Sequence, residues 1–368
     1  MTTRRRSRGD GGRPSVVVDP RRHDRLAIGS LVAVITLLFF DVVIGSGAFY
    51  TRDAALWYYP FKSVLRDVIA GGEFPYWNPF TSGGQPLAAN PVHEVFYPLT
   101  WLAMLPGLVA FNWHVLVHVY LLTIGTFALL RSLGTSRAAA CLGALSFGLG
   151  GFVLSSLSLF PFLFSAAWLP LTCLFTRRFL HHHSARDFAL AAVSLGMQFL
   201  IGEPVTIVQT GLLLGLYALS RKSRLRDVAA VAAISIAALL LSSVQILPGL
   251  DHARDSVRAG GFDFKSVSEW STPPRRLVEV FYPDTFGSAR PDAEVLYPGG
   301  DLYPRRRAPF ILSIYSGLLM AVLALAGLIA RVRGAWLYLT IAALSLILAF
   351  GSYTPLLQFL YDLGAMRS

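Results

Sequence analysis

Long apolar runs separated by short, arginine-bearing connections constrain this chain more than any other feature. Only 14% of its 368 residues are charged, whereas about a quarter are charged in a typical soluble domain. The charges lie between the apolar runs, so the pattern predicts an all-α integral membrane protein, a polytopic helical bundle. We place about nine spans, at residues 26–48, 112–131, 138–157, 159–176, 187–202, 204–220, 228–248, 309–330 and 335–351.

The start of the first predicted span divides the chain into a tail and a membrane domain. Residues 1–25 are polar and rich in Arg, Gly and Pro, which predicts a disordered basic tail. The apolar run 26–50 is too long for a signal-peptide core, so it is expected to stay as a span. Segment 95–110 is apolar but broken by prolines, which indicates a re-entrant or interfacial segment. The membrane domain is therefore predicted to cover 26–368.

Basic residues mark one side of the predicted bundle. They lie in the N-terminal tail and in the connections at 131–137, 177–186, 221–226 and 331–333. Short loops rich in Arg and Lys stay in the cytoplasm, which places the N-terminus there and the long loops 49–94 and 249–308 outside. The net charge of +11 does not indicate nucleic-acid binding, because it comes from short clusters between apolar runs.

The first long loop combines aromatic residues with Pro, Gly, Asn and Gln. Aromatic faces with amide and carboxylate tips suit sugars, which present apolar ring faces and hydroxyl edges. The alternative is a membrane-interface belt, where Trp and Tyr are common. The candidate substrate-binding residues of this loop are Tyr59, Trp77, Asn78, Gln85, Asn90, His93 and Glu94.

Asp53 is the sharpest single candidate, since it follows the first span at the membrane boundary. A carboxylate there can take a proton from an acceptor hydroxyl while a lipid-borne donor lies in the adjacent bilayer. The plain alternative is a solvated loop acid. Glu203 lies in a turn so short that it must stay near the bilayer, where it is either a sugar contact or a solvated turn acid.

A series of short motifs runs along the chain. They are Asp53, Tyr59-Pro60, Trp77-Asn78-Pro79, Gly84-Gln85-Pro86, Phe96-Tyr97-Pro98, Gly202-Glu203-Pro204, Gln245-Ile246-Leu247-Pro248, Ser256-Val257-Arg258, Phe281-Tyr282-Pro283, Tyr315-Ser316-Gly317 and Gly351-Ser352-Tyr353-Thr354-Pro355-Leu356. Together these motifs resemble the bacterial YfhO-like membrane proteins, relatives of the GT-C class of lipid-dependent glycosyltransferases. The resemblance covers about residues 26–368, although Glu203 departs from the Gly-His-Pro that this family often has at the short turn.

The resemblance implies a GT-C-like bundle in the bacterial plasma membrane, with its active face outside. Its donor would be a sugar on polyprenyl phosphate, and its acceptor a cell-envelope polymer or glycolipid. Asp53 matches the essential acid of the first outer loop in such enzymes, with or without a divalent cation. Arg258, from the Ser-x-Arg match, and Arg275 are candidates to stabilise the leaving phosphate, or else they contact lipid headgroups.

Two other functions fit the same sequence. One is a transporter or flippase, favoured by the acid Asp41 inside the first predicted span. The other is a non-catalytic membrane scaffold that kept the GT-C-like architecture. Family members are usually longer, which suggests that the natural protein continues beyond Ser368.

Overall fold

Helices form nearly the whole fold of the computed structural model, which describes residues 20–81, 83–256, 259–287, 298–303, 309–332 and 334–364. The first half contains α1 (Pro20–Leu38), α2 (Phe40–Ile44), a π-helix (Ala54–Tyr58), α3 (Tyr59–Ala70), α4 (Thr100–Ala103), α5 (Leu108–Ser132), α6 (Arg137–Gly148), α7 (Gly151–Ser156) and α8 (Phe160–His182). The second half contains α9 (Ala185–Ile201), α10 (Pro204–Leu219), α11 (Arg224–Leu241), α12 (Ser243–Arg254), α13 (Phe264–Val267), α14 (Leu318–Ile329), α15 (Ala335–Phe350) and α16 (Pro355–Asp362). Short 3₁₀ helices lie at Pro91–His93, Pro274–Val280, Pro298–Leu302 and Gly351–Tyr353.

A small antiparallel hairpin, β1 (Trp77–Asn78) and β2 (Gln85–Pro86), lies in the first long loop. Gly84 precedes β2 with a φ of +111°, and a Cβ at this position would overlap the Trp77 ring. Glycine therefore allows the indole to lie directly against the turn.

The centre of the bundle is α8, which packs against α5 on one side and α9 on the other. Val115 and Leu122 of α5 and Leu163 and Phe164 of α8 are fully buried in one cluster. Both helices are apolar around most of their circumference, as expected for inner helices. In lipid, close packing rather than water exclusion holds such helices together.

Four helical segments of the described chain are long and apolar enough to cross a membrane: Leu108–Ser132, Arg137–Ser156, Phe160–His182 and Ala335–Tyr353. Arg224–Leu241 and Ser243–Arg254, bent by 75°, make a fifth if they form one broken span. Pro204–Leu219 and Leu318–Ile329 are apolar but shorter. The predicted all-α fold of membrane type is thus confirmed by the length and composition of its helices. A helix lies in part of each of the nine predicted spans, but four or five meet these criteria.

Three predicted segments differ from the structure. Residues 20–25, expected in the disordered tail, form the start of α1, where Asp24 pairs with two arginines of other segments. The predicted span 309–330 is helical only from Leu318, because its first residues bond to α7 instead: Gly151 N donates to Tyr315 O. The predicted span 228–248 breaks at Ser242, whose hydroxyl donates to a carbonyl of α9.

The charged connections come together at one end of the bundle, here named the Arg-rich end. The ion pairs there are Asp24 with Arg131 and Arg137, Arg178 with Asp187, and Arg221 with Asp227. Arg221 also donates to Leu180 O, which links the last turn of α8 to the end of α10. The predicted grouping of the connections at 131–137, 177–186 and 221–226 on one side of the bundle therefore agrees with the structure, whereas residues 1–19 of the predicted tail lie outside the described residues.

The opposite end, named the loop end, holds both long loops. Two contacts join distant parts of the chain there. Arg52 donates to Phe310 O at 3.1 Å, and Gln245 of α12 donates to Ala88 O at 3.1 Å. The first long loop therefore contacts the segments that lie just before and just after the second long loop.

Arg276 organises the second long loop. Its guanidinium is 2% exposed and donates to Glu279 Oε2 at 2.6 Å, Tyr303 OH at 3.1 Å, Ile311 O at 2.8 Å and Leu312 O at 2.7 Å. One side chain thus joins the 3₁₀ helix Pro274–Val280 to Tyr303 of the loop and to residues 311–312 just after it.

We expect Arg276→Met to lower the free energy of unfolding by about 3–5 kcal/mol, because it leaves the buried Glu279 carboxylate without its cation. Arg275→Met is the matched control. Arg275 is exposed, so its loss should change stability by no more than about 0.5 kcal/mol. Thermal unfolding of both purified variants in the same detergent is the measurement. Equal melting temperatures would contradict this role of Arg276.

Candidate functional site

Asn112 of α5 fixes the approach to Asp53. Its amide nitrogen donates to Val42 O at 3.1 Å and Gly47 O at 2.9 Å, and its oxygen accepts from Phe49 N at 3.4 Å. The side chain is fully buried. The segment that leaves α2 is therefore held against the bundle until just before Asp53.

Asp53 lies at the start of the π-helix Ala54–Tyr58, half-buried. Its carboxylate makes no hydrogen bond or ion pair with another described residue. Arg52, just before it, has a φ of 51°, an uncommon value for a residue with a side chain. Short π-helices and left-handed residues are frequent at functional sites. The structure thus presents a free carboxylate on a fixed backbone at the loop end.

Lys62 of α3 and Glu94 form a buried ion pair within the first long loop. Lys62 Nζ lies 2.9 Å from Glu94 Oε2, and it also donates to His93 O at 2.7 Å and Thr100 Oγ1 at 3.3 Å. The two charged side chains are 4% and 1% exposed. All three donors of the ammonium group are used, which stabilises a charge that would otherwise be costly to bury.

Burial dominates the proton affinities around this pair. It lowers the pKa of Lys62 and raises the pKa of Glu94, while the attraction between the two opposes both shifts. Burial and the nearby Lys62 charge lower the pKa of His93 to about 3, so its ring is neutral near pH 7. Burial also raises the pKa of Tyr58 above its usual range, reinforced by the charges of Glu94 and Asp53. The two acids thus add to burial in favouring the neutral form of the Tyr58 hydroxyl.

A second polar chain runs from Tyr97 into the bundle. The Tyr97 hydroxyl lies 2.6 Å from His118 Nε2 and accepts a hydrogen bond from Trp168 Nε1 at 2.8 Å. His118 Nδ1 lies 2.7 Å from the carbonyl of His114. Because that carbonyl can only accept, Nδ1 carries the proton of a neutral ring and Nε2 accepts from Tyr97.

Several buried polar atoms near these chains have no protein partner among the described residues. They are both ring nitrogens of His93 and of His114, Glu94 Oε1, Gln85 Nε2, Gln198 Oε1 and Ser165 Oγ. Buried polar atoms in folded proteins usually have a partner. These atoms are therefore the places where water or a ligand group would be bound.

A largely apolar groove of about 350 Å³ lies beside the buried pair. Its walls include Phe199 and Gly202 at the end of α9, Ile207 of α10, and Gln245 of α12. Pro91 closes it and begins the 3₁₀ helix that leads to His93 and Glu94. The groove thus adjoins the backbone that carries the buried pair.

The predicted sugar-binding residues of the first loop have different environments. Trp77 is 53% exposed, and Tyr59 is half-buried with its ring edge on Phe111. Asn78 is 1% exposed, and its amide bonds to Phe80 N and Thr81 Oγ1 within its own turn. Gln85 is half-buried, with its amide nitrogen unpaired. Trp77, Tyr59 and Gln85 are thus better placed for a ligand than Asn78.

Asn90 and Glu203 serve as helix caps in the structure. Asn90 Oδ1 accepts from Val92 N at 3.2 Å. Glu203 is 3% exposed, and its two oxygens accept from Val205 N at 2.8 Å and Thr206 N at 2.6 Å. Both carboxylate oxygens of Glu203 are therefore occupied by the first turn of α10, where a negative charge is favourable.

The predicted arginines and the acid Asp41 complete the comparison. Arg275 is exposed and without a partner in the described chain, and Arg258 lies outside the described residues. Asp41 is exposed in the first turn of α2, so it lies at the edge of the bundle rather than in its middle. In the described parts of the chain, no group of three His, Cys, Asp or Glu residues could hold a metal ion.

Four organising residues were not predicted from the sequence: Lys62, Asn112, Tyr97 and His118. Lys62 carried a signal, since lysine is rare in this arginine-rich chain and this one lies among apolar residues of α3. Its small ammonium group fits three converging acceptors, which the planar guanidinium of arginine would not. Asn112 and His118 showed no such signal, because polar residues in an apolar run do not reveal their partners.

We expect the Lys62–Glu94 pair to show strong energetic coupling. Lys62→Met alone leaves a buried carboxylate unpaired and should lower the free energy of unfolding by about 3–5 kcal/mol. The double variant Lys62→Met/Glu94→Leu should lose less than the sum of its single changes, with a coupling of about 0.5–3 kcal/mol. Chemical unfolding of the four proteins completes the cycle. Strictly additive losses would show that the two side chains do not depend on each other.

Glu203 offers a test that separates capping from ligand binding. Glu203→Ala should lower stability by about 0.5–2 kcal/mol, whereas Glu203→Asn, with a good capping side chain, should keep most of it. Thermal unfolding gives the order. An asparagine variant no more stable than the alanine variant would argue against the cap as the source of stability.

Comparison with protein-family models, curated proteins and solved structures finds no match to this chain.

Proposed function

We propose that the chain is a membrane glycosyltransferase that moves a sugar from a polyprenyl-phosphate donor to a cell-envelope acceptor on the non-cytoplasmic face. The observation that carries the proposal is the free, half-buried carboxylate of Asp53, held on a fixed backbone at the loop end. The apolar groove beside the first long loop supports it, since a polyprenyl chain needs an apolar path next to the reacting sugar. The sequence resemblance to GT-C relatives supplies the reaction class.

In this mechanism, Asp53 accepts the proton of the acceptor hydroxyl. The acceptor oxygen attacks the anomeric carbon from the face opposite the phosphate, forms the new glycosidic bond and inverts the configuration. The bond from the anomeric carbon to the phosphate oxygen breaks, and polyprenyl phosphate leaves with the electron pair. The free carboxylate fits this role because a base must be within reach of the proton that it takes.

Positive charge near the leaving phosphate is a second requirement of the mechanism. Arg276 is a poor candidate, because its guanidinium is committed to Glu279, Tyr303 and two carbonyls. Arg275, exposed and unpaired in the described chain, remains a candidate, as does Arg258. A divalent cation, if used, would neutralise the same charge.

The proposed orientation follows from the two ends of the bundle. Short basic connections favour the cytoplasm, and such connections gather at the Arg-rich end. The N-terminus would then be cytoplasmic, and the loop end with Asp53 would face outward. A lipid-linked donor that has already crossed the membrane is accessible from that side.

A transporter or flippase is the second candidate, and a specific observation favours it. His114, Ser165 and Gln198 have unpartnered polar atoms inside α5, α8 and α9, and the pair α11–α12 is bent. Polar sites on broken helices within the bilayer are typical of transporters. A scaffold without catalysis is the third candidate, and it predicts no dependence on Asp53.

The decisive test replaces Asp53 with Asn in the complete gene. We expect loss of the transferred envelope sugar by about 10²–10⁴-fold in rate, with accumulation of the lipid-linked donor, because the base is removed while the side-chain shape is kept. Mass spectrometry of lipid-linked sugars and compositional analysis of the envelope are the readouts.

Asp67→Asn is the matched control, since Asp67 is an exposed acid of the same loop, with its side chain 72% exposed. It should behave like wild type at equal protein level. Envelope sugar that is the same in wild type, in Asp53→Asn and in a gene deletion would overturn the transferase proposal. Transporter and scaffold would then be the remaining candidates.

A further inference from the structure

A narrow apolar crevice opens at the Arg-rich end, far from the proposed catalytic loop. Four helices form its walls, with Leu129 of α5, Cys173 of α8, Leu213 and Tyr217 of α10, and Leu337 of α15. Its volume is about 100 Å³. The crevice is therefore large enough for the first part of one acyl chain, but not for a folded peptide or a soluble cofactor.

Arg177 is the one charged residue among the described residues that line this crevice. Its guanidinium is half-buried and makes no hydrogen bond or ion pair within the described chain. The neighbouring arginines differ in this respect. Arg178 pairs with Asp187, and Arg221 pairs with Asp227. Arg177 is partly removed from water beside an apolar wall and has no anionic partner within the described chain, whereas Arg178 and Arg221 each have one.

We propose that this crevice binds an anionic phospholipid of the bilayer leaflet at the Arg-rich end. The lipid phosphate accepts hydrogen bonds from the Arg177 guanidinium, and the upper part of one acyl chain fills the crevice between α8, α10 and α15. Arg177 lies one to two turns before the end of α8, a depth from which a long side chain reaches the headgroup region. Tyr217 and Tyr338, apolar rings with polar tips, are typical of that depth.

Charge selects an anionic over a zwitterionic lipid. Lys222, Arg224 and Arg226 are exposed at the same end of the bundle, and each adds to the positive potential around Arg177. The apolar walls select a lipid over free phosphate, because phosphate alone would leave them uncovered. A bound lipid would also join α15 to α10 and α8, so that the site stabilises a helix whose own residues are mostly exposed.

The test uses the purified full-length chain in detergent with short-chain phosphatidylglycerol as the probe, and native mass spectrometry counts bound lipid. We expect Arg177→Gln to weaken binding by about tenfold, the loss of one charge-assisted contact. Lys222→Gln is the matched control: it removes one positive charge from the same end but not from the crevice, and should change affinity less than about twofold.

A second variant tests the apolar half of the site. Leu213→Trp should fill the crevice and weaken binding while Arg177 remains, so the proposal stays testable even if Arg177→Gln does not fold. Phosphatidylcholine with the same chains should bind clearly more weakly than phosphatidylglycerol, and inorganic phosphate should not compete. Equal binding of both lipids, unchanged binding in both variants, or displacement by inorganic phosphate would each overturn the proposal.

Discussion

The buried contact between Lys62 and Glu94 joins α3 to the end of the first long loop. A charge in this position is tolerated only because the ammonium group has three acceptors, two of them in the stretch that includes His93 and Glu94. Glu94 adopts a φ of 54°, which turns the chain so that its carboxylate reaches Lys62. The groove lies beside this stretch, and Tyr58 lies one helical turn before Lys62. The Pro91 wall of the groove and the helical stretch that begins after Asp53 are therefore both joined to this contact through the backbone.

The sequence predicted the class of fold well, because the membrane imposes a simple rule. Backbone groups in lipid must bond within their own segment, so a long apolar run almost always means a helix. The same rule does not predict where a helix begins or ends. Residues 309–317 are apolar enough to extend a span, yet their backbone bonds to Gly151 and Ser155 of α7. Composition cannot reveal that these backbone groups bond to another helix. For this reason the predicted start of the span 309–330 was wrong, since the helix begins at Leu318.

Prediction of the site was limited for the same reason: the sequence does not show which groups a polar side chain bonds to. Arg275 and Arg276 are adjacent and identical in sequence terms, but one is exposed and the other holds four groups of the second loop. Glu203 was predicted to be either a sugar contact or a solvated turn acid, yet its carboxylate bonds to the amides of α10. Asp53 differs from both, because its position after the first span was readable and its carboxylate is free. The sequence thus locates a charge more readily than it identifies that charge's partner.

The packing of aromatic rings inside the bundle favours chemistry at the loop end over passage through the bundle. A transport path requires space that can open toward both sides. Around His114 and His118 that space is filled by Phe164, whose ring stacks on His118 at 3.7 Å and contacts His114 at 4.7 Å. Movement of a solute here would separate well-packed aromatic rings at a substantial cost. Asp53 needs no such movement, because its carboxylate is already unbonded and partly exposed. A reaction at the membrane surface therefore requires a smaller conformational change in this fold than transport of a solute through the bundle would.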